Sequence, residues 1–363
     1  MREEKGLFCA ERRGKSHISA ASFRCGIVWR IFSPDQIAFP SKSRYTFFAL
    51  ESNPTYIIGI DGGGTKTTAQ LCRGQENILA EEVGGPSNFQ IIGAEAAAIT
   101  ILDLVQGCCR KARIAVSEVG ALVAGLSGAG RVSDQERMTL ALQTEAVKRR
   151  IQFRNFKIES DARIALEGAH AGGPGIIVIA GTGSIVFGKD KLGKVHRAGG
   201  WGRIIGDEGG GFTIGKLALR AVARDFDGRG STRMTQLVAS QFPIDSPEAM
   251  IRAVYTDALD IAALAAIVIE AAGNRDKVAR AILSSQAKEL AADVAQVAKK
   301  IRRPNKKISI AFVGSIAEHR NYFSTELTKH IRSMVRGAHI VKPATAPVHG
   351  AVLMALRALS QSQ

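Results

Sequence analysis

The sequence predicts an α/β fold made of two similar halves. Two strand–glycine turn–strand units carry this prediction: Tyr56–Ile60 continues at Thr67–Arg73, and Gly175–Ala180 continues through Gly181–Ser184 at Ile185–Gly188. Short apolar runs that are bounded by glycine are typical of buried strands and hairpins. Because the two units lie about 120 residues apart, we expect a duplicated fold with a cleft between its halves.

The remaining segments alternate between helical and strand patterns, as an α/β chain requires. Between the two units we predict strands at Ile78–Val83, Val119–Leu126 and Phe156–Glu159, and helices over 93–113, from a capping Ser133 to Arg149, and from Asp161. After the second unit we predict strands at Val195–Gly199, Ser309–Val313 and His339–Val341, helical stretches over 213–301, and a closing helix from Ala346.

Composition narrows the class of protein. The chain has 363 residues, a formal charge of +16, 45% hydrophobic and 23% charged residues, which is ordinary globular composition. No run of apolar residues is long enough to span a membrane, so we expect a soluble, cytoplasmic protein without a membrane partner. Its basic residues are scattered and aromatic residues are only 6%, which argues against a nucleic-acid partner. Five cysteines form no CxxC pair, which favours reduced thiols rather than a metal site.

Residues 1–53 differ from the rest, because no clean helix or strand period runs through them. A poorly ordered tail, a targeting arm and upstream sequence from an over-long gene prediction are the three interpretations; we favour an extension without a functional role. The working protein then begins near residue 55. We expect an N-terminal domain at 55–172, completed by a closing helix at 346–360, and a C-terminal domain at 173–345.

The first glycine turn has the chemistry of a phosphate loop. It reads Ile-Asp-Gly-Gly-Gly-Thr-Lys-Thr over residues 60–67. Three glycines allow several backbone N–H groups to approach one anion, while Thr65 adds a hydroxyl and Lys66 a positive charge. Asp61, at the end of the strand, is suited to holding a hydrated Mg²⁺. A plain hairpin turn is the alternative, although it would need fewer glycines.

The second glycine turn and one aspartate add to this pattern. Gly181–Ser184 has the same strand-end setting, so two facing hairpins could hold a polyphosphate from both sides. Asp161 follows a short strand and opens a helix. From its position alone it is either an N-cap or a general base that accepts a proton from a substrate hydroxyl.

A third glycine-rich segment covers residues 199–211, with seven glycines around Trp201, Asp207 and Glu208. Glycine permits close approach of the backbone to a ligand. Carboxylates accept hydrogen bonds from hydroxyl groups, and the face of a tryptophan suits a sugar ring. We therefore interpret this segment as part of a binding site and not as a linker.

Taken in order, GIDGGGTKT, SDA, IAGTGS, GGWGRIIGDEGGG and FVGSIA resemble the N-acetylglucosamine kinases of the BadF/BadG/BcrA/BcrD ATPase family, within the sugar kinase, Hsc70 and actin superfamily. The resemblance covers residues 55–358. It implies two ribonuclease H-like (actin-like ATPase) domains, ATP and Mg²⁺ in the cleft between them, and phosphate transfer to the 6-hydroxyl of an amino sugar. Members of the family are often dimers, so a homodimer is a further expectation.

The resemblance also implies a role for each residue that matches a motif. Asp61 would organise Mg²⁺ through water, and Asp161 would be the catalytic base. The residues implied to bind ATP are Gly63, Gly64, Thr65, Lys66, Thr182, Gly183, Gly314 and Ser315. The residues implied to bind the sugar are Asn88, Asp161, Ser184, Gly200, Trp201, Gly202 and Asp207.

Several alternatives stay open at this point. Position 185 is Ile where some relatives have a polar residue that contacts the sugar, so N-acetylglucosamine, glucosamine and N-acetylmuramic acid all remain candidate substrates. An ATPase activator of the BadF type would need cysteines to bind an iron–sulfur cluster, and no cysteine pair has suitable spacing. A sugar-responsive regulator would need a DNA-binding segment, and residues 1–53 show no helix-turn-helix pattern.

Overall fold

The computed structural model describes residues 56–75, 77–301 and 307–360. The predicted extension at 1–53 lies outside them. Within the described ranges, no helix is long and apolar enough to cross a lipid bilayer. Two five-stranded sheets and eleven α-helices make up this part of the chain.

The first sheet has the strand order β3-β2-β1-β4-β5. Strands β1 to β3 are antiparallel neighbours, whereas β4 runs parallel to β1 and β5 runs parallel to β4. β4 is buried along its whole length, as its apolar sequence predicts. The bounds are β1 Tyr56–Gly62, β2 Thr67–Arg73, β3 Asn77–Gly84, β4 Val119–Leu126 and β5 Phe156–Ser160.

The second sheet repeats this topology strand for strand, with the order β10-β9-β6-β7-β8. Again the first three strands are antiparallel, and the last two are parallel to the central strand. The predicted duplication is therefore present in the fold. The bounds are β6 Gly175–Ala180, β7 Ser184–Lys189, β8 Val195–Gly199, β9 Ile308–Val313 and β10 Ala338–Val341.

Helices connect and cover the strands, and short 3₁₀ turns lie at Val116–Glu118 and Ile261–Ala263. In the first half the helices are α1 Phe89–Ile92, α2 Ala94–Ala112, α3 Val132–Lys148 and α4 Asp161–Ala169. In the second half they are α5 Gly211–Phe226, α6 Met234–Gln241, α7 Pro247–Tyr255, α8 Leu264–Gly273, α9 Lys277–Ile301, α10 Tyr322–Met334 and α11 Pro347–Ser360.

Helices α4 and α11 occupy equivalent places, since each follows the last strand of its sheet. Helix α11 returns to pack on β1 and β4 of the first sheet. Helix α4 faces both sheets: Ile164 packs with α11 on the first sheet, and Leu166 packs on Ile177 of the second. The two helices cross where Gly168 and Gly350 leave no room for a side chain. This crossing joins the two halves.

The predicted start of α4 at Asp161 is confirmed, whereas the predicted start of α3 and the N-cap alternative for Asp161 need correction. Helix α3 begins at Val132 after Arg131, with no side-chain cap, so Ser133 lies inside the helix and is not its N-cap. Helix α4 begins at Asp161, but Ser160 is its N-cap and accepts a hydrogen bond from the Arg163 N–H at 3.2 Å. The N-cap alternative for Asp161 is therefore wrong, because the preceding serine already performs that role.

Candidate active site

The ends of β1, β4 and β5 form one edge of the first sheet. These strands are parallel, so their carboxyl ends meet, and the register pairs Asp61 with Gly125 and Leu126 with Ser160. The backbone N–H of Ser127 then donates to the carbonyl of Gly62 at 2.8 Å. Open α/β sheets bind ligands at such an edge. Asp61 and Asp161, which are 100 positions apart in the chain, therefore lie close together at this edge.

Asp61 lies in a partly closed environment beside a second carboxylate. Burial raises the pKa of Asp61 to about 6, the negative charge of Asp161 adds to the rise, and the positive charge of Lys66 acts against it. Two carboxylates that repel each other in a half-buried place create a favourable position for a cation. Carboxylate oxygen is also the ligand that Mg²⁺ prefers. The donor set fits the predicted magnesium role of Asp61.

Asp161 is held by two hydrogen bonds at the start of α4. Its Oδ1 accepts from the backbone N–H of Ala162 at 2.7 Å, and its Oδ2 accepts from the hydroxyl of Ser127 at 2.6 Å. The N-terminus of a helix favours a negative charge in its first turn. Asp161 is therefore an anchored carboxylate close to Asp61, as a general base beside a metal-bound phosphate would have to be.

The first glycine loop is closed tightly at its base and exposed at its tip. The N–H of Gly63 donates to the carbonyl of Lys66 at 2.9 Å. A side chain at Gly62 would collide with Ser87 and Leu126, so glycine is required there. The tip residues Gly64, Thr65 and Lys66 are exposed. Its backbone and charge are thus available to an anion.

Asn88 is attached to this loop. The carbonyl of Gly63 accepts from the N–H groups of Ser87 and Asn88 at 3.0 and 3.1 Å. Asn88 caps the short helix α1, because its Oδ1 accepts from the N–H of Gln90 at 3.2 Å. Its amide also borders Gly128, where an added Cβ would come within 3.0 Å of Oδ1. The structure thus brings Asn88 to the edge that carries Asp161.

The second glycine loop rests on the start of α5. The N–H of Gly181 donates to the carbonyl of Gly183 at 2.9 Å. The N–H groups of Gly211 and Phe212 donate to the carbonyls of Gly181 and Thr182 at 2.7 and 2.9 Å. This arrangement ties the loop to the end of the glycine-rich segment, so the predicted phosphate and sugar elements of the second half are neighbours.

The glycine-rich segment folds back on the second loop. Asp207 has a left-handed backbone with φ of 59°, and its Oδ1 accepts a hydrogen bond from the N–H of Gly202 at 3.1 Å. The Asp207 carboxylate also leaves no room for a side chain at Gly183. Ser184 donates its hydroxyl to the carbonyl of Glu208 at 2.7 Å. Burial raises the pKa of Asp207, the Gly202 hydrogen bond opposes this, and the charge of Glu208 adds to the rise.

The rest of the segment is open to solvent. Trp201 is 67% exposed, and the guanidinium of Arg197 lies 5.1 Å from the centre of its ring. Gly200, with φ of 69°, has its backbone against Ile185, so a side chain would not fit there. The exposed part of the Trp201 ring and the backbone of this stretch are therefore accessible to a ligand.

A cavity of about 300 Å³ extends from the second loop. Gly181, Thr182 and Ser315 line one side, and small residues around α8 line the other. Gly314 forms the turn with φ of 98°, and an added Cβ would lie 2.6 Å from the carbonyl oxygen of Ala180. The volume is at the lower end for a small-molecule pocket. It suits the predicted adenosine side of the site.

Two groups of residues were missed from sequence. The first is Ser127, in the turn Ser127–Gly130 that follows β4; its signal is the same polar and glycine pattern at a strand end that marks the other loops. The second is the small-residue lining of the cavity, Asp260, Ala262, Ala263, Ala265 and Ala266, whose only signal is a run of alanines.

These features define a class of protein. Two sheets of equal topology, each with a glycine loop beside its central strand and joined through a helix crossing, form the two-domain actin-like ATPase fold of sugar kinases. A solved structure from Chromobacterium violaceum, assigned as an N-acetylglucosamine kinase, matches with a TM-score of 0.65 and 27% identity, over 84% of this chain and 99% of that chain.

The family follows from the sequence comparison. The chain belongs to the BadF/BadG/BcrA/BcrD ATPase family, whose model matches residues 58–355. It is 33% identical to an N-acetylmuramic acid/N-acetylglucosamine kinase of Clostridium acetobutylicum, over 83% of this chain and 98% of that relative. It is 30% identical to an N-acetyl-D-glucosamine kinase of Dictyostelium discoideum, over 82% and 97%. The resemblance inferred from the motifs is confirmed.

Proposed function

We propose that this protein is an ATP-dependent amino-sugar kinase that phosphorylates the 6-hydroxyl of N-acetylglucosamine. The observation that carries the proposal is the pair of carboxylates, Asp61 and Asp161, at the sheet edge beside an exposed glycine loop. Phosphoryl transfer requires positioning and charge neutralisation around one phosphorus atom. The names of the curated relatives point to the same reaction.

In the proposed mechanism, the two glycine loops hold the triphosphate and Asp161 orients the sugar. The carboxylate of Asp161 accepts the proton of the 6-hydroxyl while that oxygen forms a bond to the γ-phosphorus. The bond from the γ-phosphorus to the bridging oxygen breaks, and ADP leaves with its electrons. Lys66 adds positive charge at the first loop, and Mg²⁺ held through Asp61 would neutralise phosphate charge.

The two groups of site residues lie on different sheets, so we propose that the domains close on the substrates. Asn88 and Asp161 belong to the first half, and Ser184, Trp201 and Asp207 belong to the second. Closure would exclude water and complete the sugar site. The proposed domain boundaries are those inferred from the sequence, at 55–172 with 346–360, and at 173–345.

Glucosamine is the second candidate substrate, and one observation favours it. Several acidic groups lie near Gly199 and Asp207, among them Asp293, Glu208 and Glu289. Burial raises the pKa of Asp293, and the negative charges of Glu208 and Glu289 add to the rise. Acidic groups would attract a protonated amine more than a neutral acetamide. We further propose a cytoplasmic location, in which the buried thiols stay reduced, and a homodimer.

An ADP-release assay with ATP, Mg²⁺ and a sugar panel tests this function. The panel contains N-acetylglucosamine, glucosamine, N-acetylmuramic acid, N-acetylmannosamine and glucose. We expect turnover with N-acetylglucosamine, and a loss of at least about 100-fold in kcat for Asp161→Asn with ATP binding retained. ATP hydrolysis without dependence on sugar would instead favour an ATPase activator, and sugar binding without turnover would favour a regulator.

A further inference from the structure

Ser127 holds a central position that none of the motifs predicted. It follows β4 directly, and its backbone is fixed by the hydrogen bond to Gly62 in the first glycine loop. Its hydroxyl donates to Asp161 Oδ2 at 2.6 Å, across 34 positions of sequence. A single serine thus connects the strand end, the phosphate loop and the carboxylate of the proposed base.

The second hydrogen bond of Asp161 is local and orients it less. Its donor is the N–H of Ala162, the next residue in the chain. The torsion that rotates an aspartate carboxylate has broad preferences, so one local bond leaves the carboxylate plane poorly determined. The hydroxyl of Ser127 comes from a different strand and supplies the second fixed point. Hydroxyl-to-carboxylate bonds of this length are also among the stronger hydrogen bonds.

The neighbours of Ser127 belong to the sugar side of the site. The next residue, Gly128, has φ of 91°. Its carbonyl accepts a hydrogen bond from the side-chain amide of Gln90 at 3.4 Å, and an added Cβ would lie 3.0 Å from Asn88 Oδ1. A displacement of this turn would therefore move the proposed sugar contact and the base together. Ser127 is only half-buried, so its hydroxyl is not merely filling the core.

We propose that Ser127 is a positioning residue for catalysis: its hydroxyl holds Asp161 Oδ2 so that the carboxylate meets the acceptor hydroxyl of the sugar in one orientation. This inference rests on the proposed role of Asp161 as general base. Ser127 acts through Asp161 and takes no proton from the substrate. Its loss should therefore lower the rate of transfer more than it weakens binding of either substrate.

Four variants test the proposal: Ser127→Ala, Ser127→Cys, Ser127→Thr and Asp161→Asn. We expect Ser127→Ala to lower kcat by about 10- to 100-fold, with KM for sugar and for ATP within about twofold of the original protein. Ser127→Cys, of similar size but a weak donor, should behave like the alanine variant, and Ser127→Thr should restore kcat because it keeps the hydroxyl. If Ser127→Ala fails to fold, the cysteine and threonine pair provides the same comparison.

The double variant separates the role of Ser127 from the role of Asp161. Adding Ser127→Ala to Asp161→Asn should lower kcat no further, because both changes act on one group. If Asp161→Asn keeps its turnover, the proposed function of that residue is wrong. The positioning role of Ser127 alone is overturned if Asp161→Asn is inactive while Ser127→Ala and Ser127→Cys keep kcat within about twofold of the original protein. It is also overturned if Ser127→Ala changes kcat and both KM values together.

Discussion

A buried ion cluster at the helix crossing provides a prediction about stability. Glu167 on α4 is fully buried. Its carboxylate pairs with Lys189 Nζ of β7 at 2.5 Å and with Arg357 Nη1 of α11 at 2.7 Å, and also with Arg163 of its own helix. Lys189 additionally donates to the carbonyl of Gly172 at 2.8 Å. The cluster joins the second sheet to both crossing helices.

Burial and ion pairing act in opposite directions on the pKa values of Glu167 and Lys189. Burial by itself raises the pKa of Glu167, but the Lys189 hydrogen bond and the surrounding positive charges outweigh it, so the net pKa is lowered. Burial is the largest influence on Lys189 and lowers its pKa, although Glu167 acts in the opposite direction. Lys189 is only 3% exposed, and its ammonium is paired with the carboxylate of Glu167.

We therefore expect Glu167→Gln to destabilise the protein by about 3–5 kcal/mol, because it leaves the buried ammonium of Lys189 without its carboxylate partner. At about 2 °C for each kcal/mol in a large chain, the melting temperature falls by about 6–10 °C. The lowered pKa of Glu167 means that its contribution is complete at neutral pH and is lost only as the pH falls through the folded-state pKa. Thermal unfolding followed by circular dichroism at pH 7.5 measures the effect.

Two comparisons make this prediction specific. Lys189→Met should lower the free energy of unfolding by less than Glu167→Gln does, since Glu167 keeps both of its arginine partners. The double variant Glu167→Gln with Lys189→Met should be more stable than Glu167→Gln alone, because no buried ammonium is left unpaired with a carboxylate. The matched control is Glu95→Gln, whose ion pair with Lys148 is exposed and should contribute at most about 1 kcal/mol. A melting temperature for Glu167→Gln equal to that of the Glu95→Gln control would refute the reasoning.

Three further predictions concern other parts of the chain. Asp207→Asn, which tolerates the left-handed backbone, should raise the sugar KM by about 10-fold with little change in kcat, and an unchanged KM would exclude the sugar contact. Gly350→Ala should lower the free energy of unfolding, measured with denaturant, by at least about 1–3 kcal/mol, because the added Cβ meets the backbone of α4. The control Gly273→Ala places its Cβ in open space and should leave the free energy of unfolding unchanged, so equal denaturation midpoints for the two variants would contradict the prediction. Burial raises the pKa of Cys72 to about 11 and that of Cys108 to about 12, so iodoacetamide at pH 8 should alkylate these thiols only after unfolding, as peptide mass spectrometry would show.

Local patterns in the sequence were sufficient for most of the fold. Apolar runs that end at glycine placed the central strands β1 and β6, and the predicted strand Val119–Leu126 agrees with β4 at both ends. The duplication was visible because both halves repeat the same local order. One helix start was predicted wrongly: Ser133 is a residue type that often caps helices, yet α3 already begins one residue earlier, at Val132.

The sequence by itself determined the strand order along the chain, the three glycine loops and the carboxylates that make a phosphate and sugar site plausible, because each of these depends on residue type at short spacing. Only the tertiary structure decided which side chains from distant segments contact each other. Parallel pairing of β1, β4 and β5 brings Ser127 to Asp161, and the crossing of α4 with α11 assembles Glu167 with Lys189 and Arg357. Such contacts depend on register and packing between distant segments, which no local spacing records.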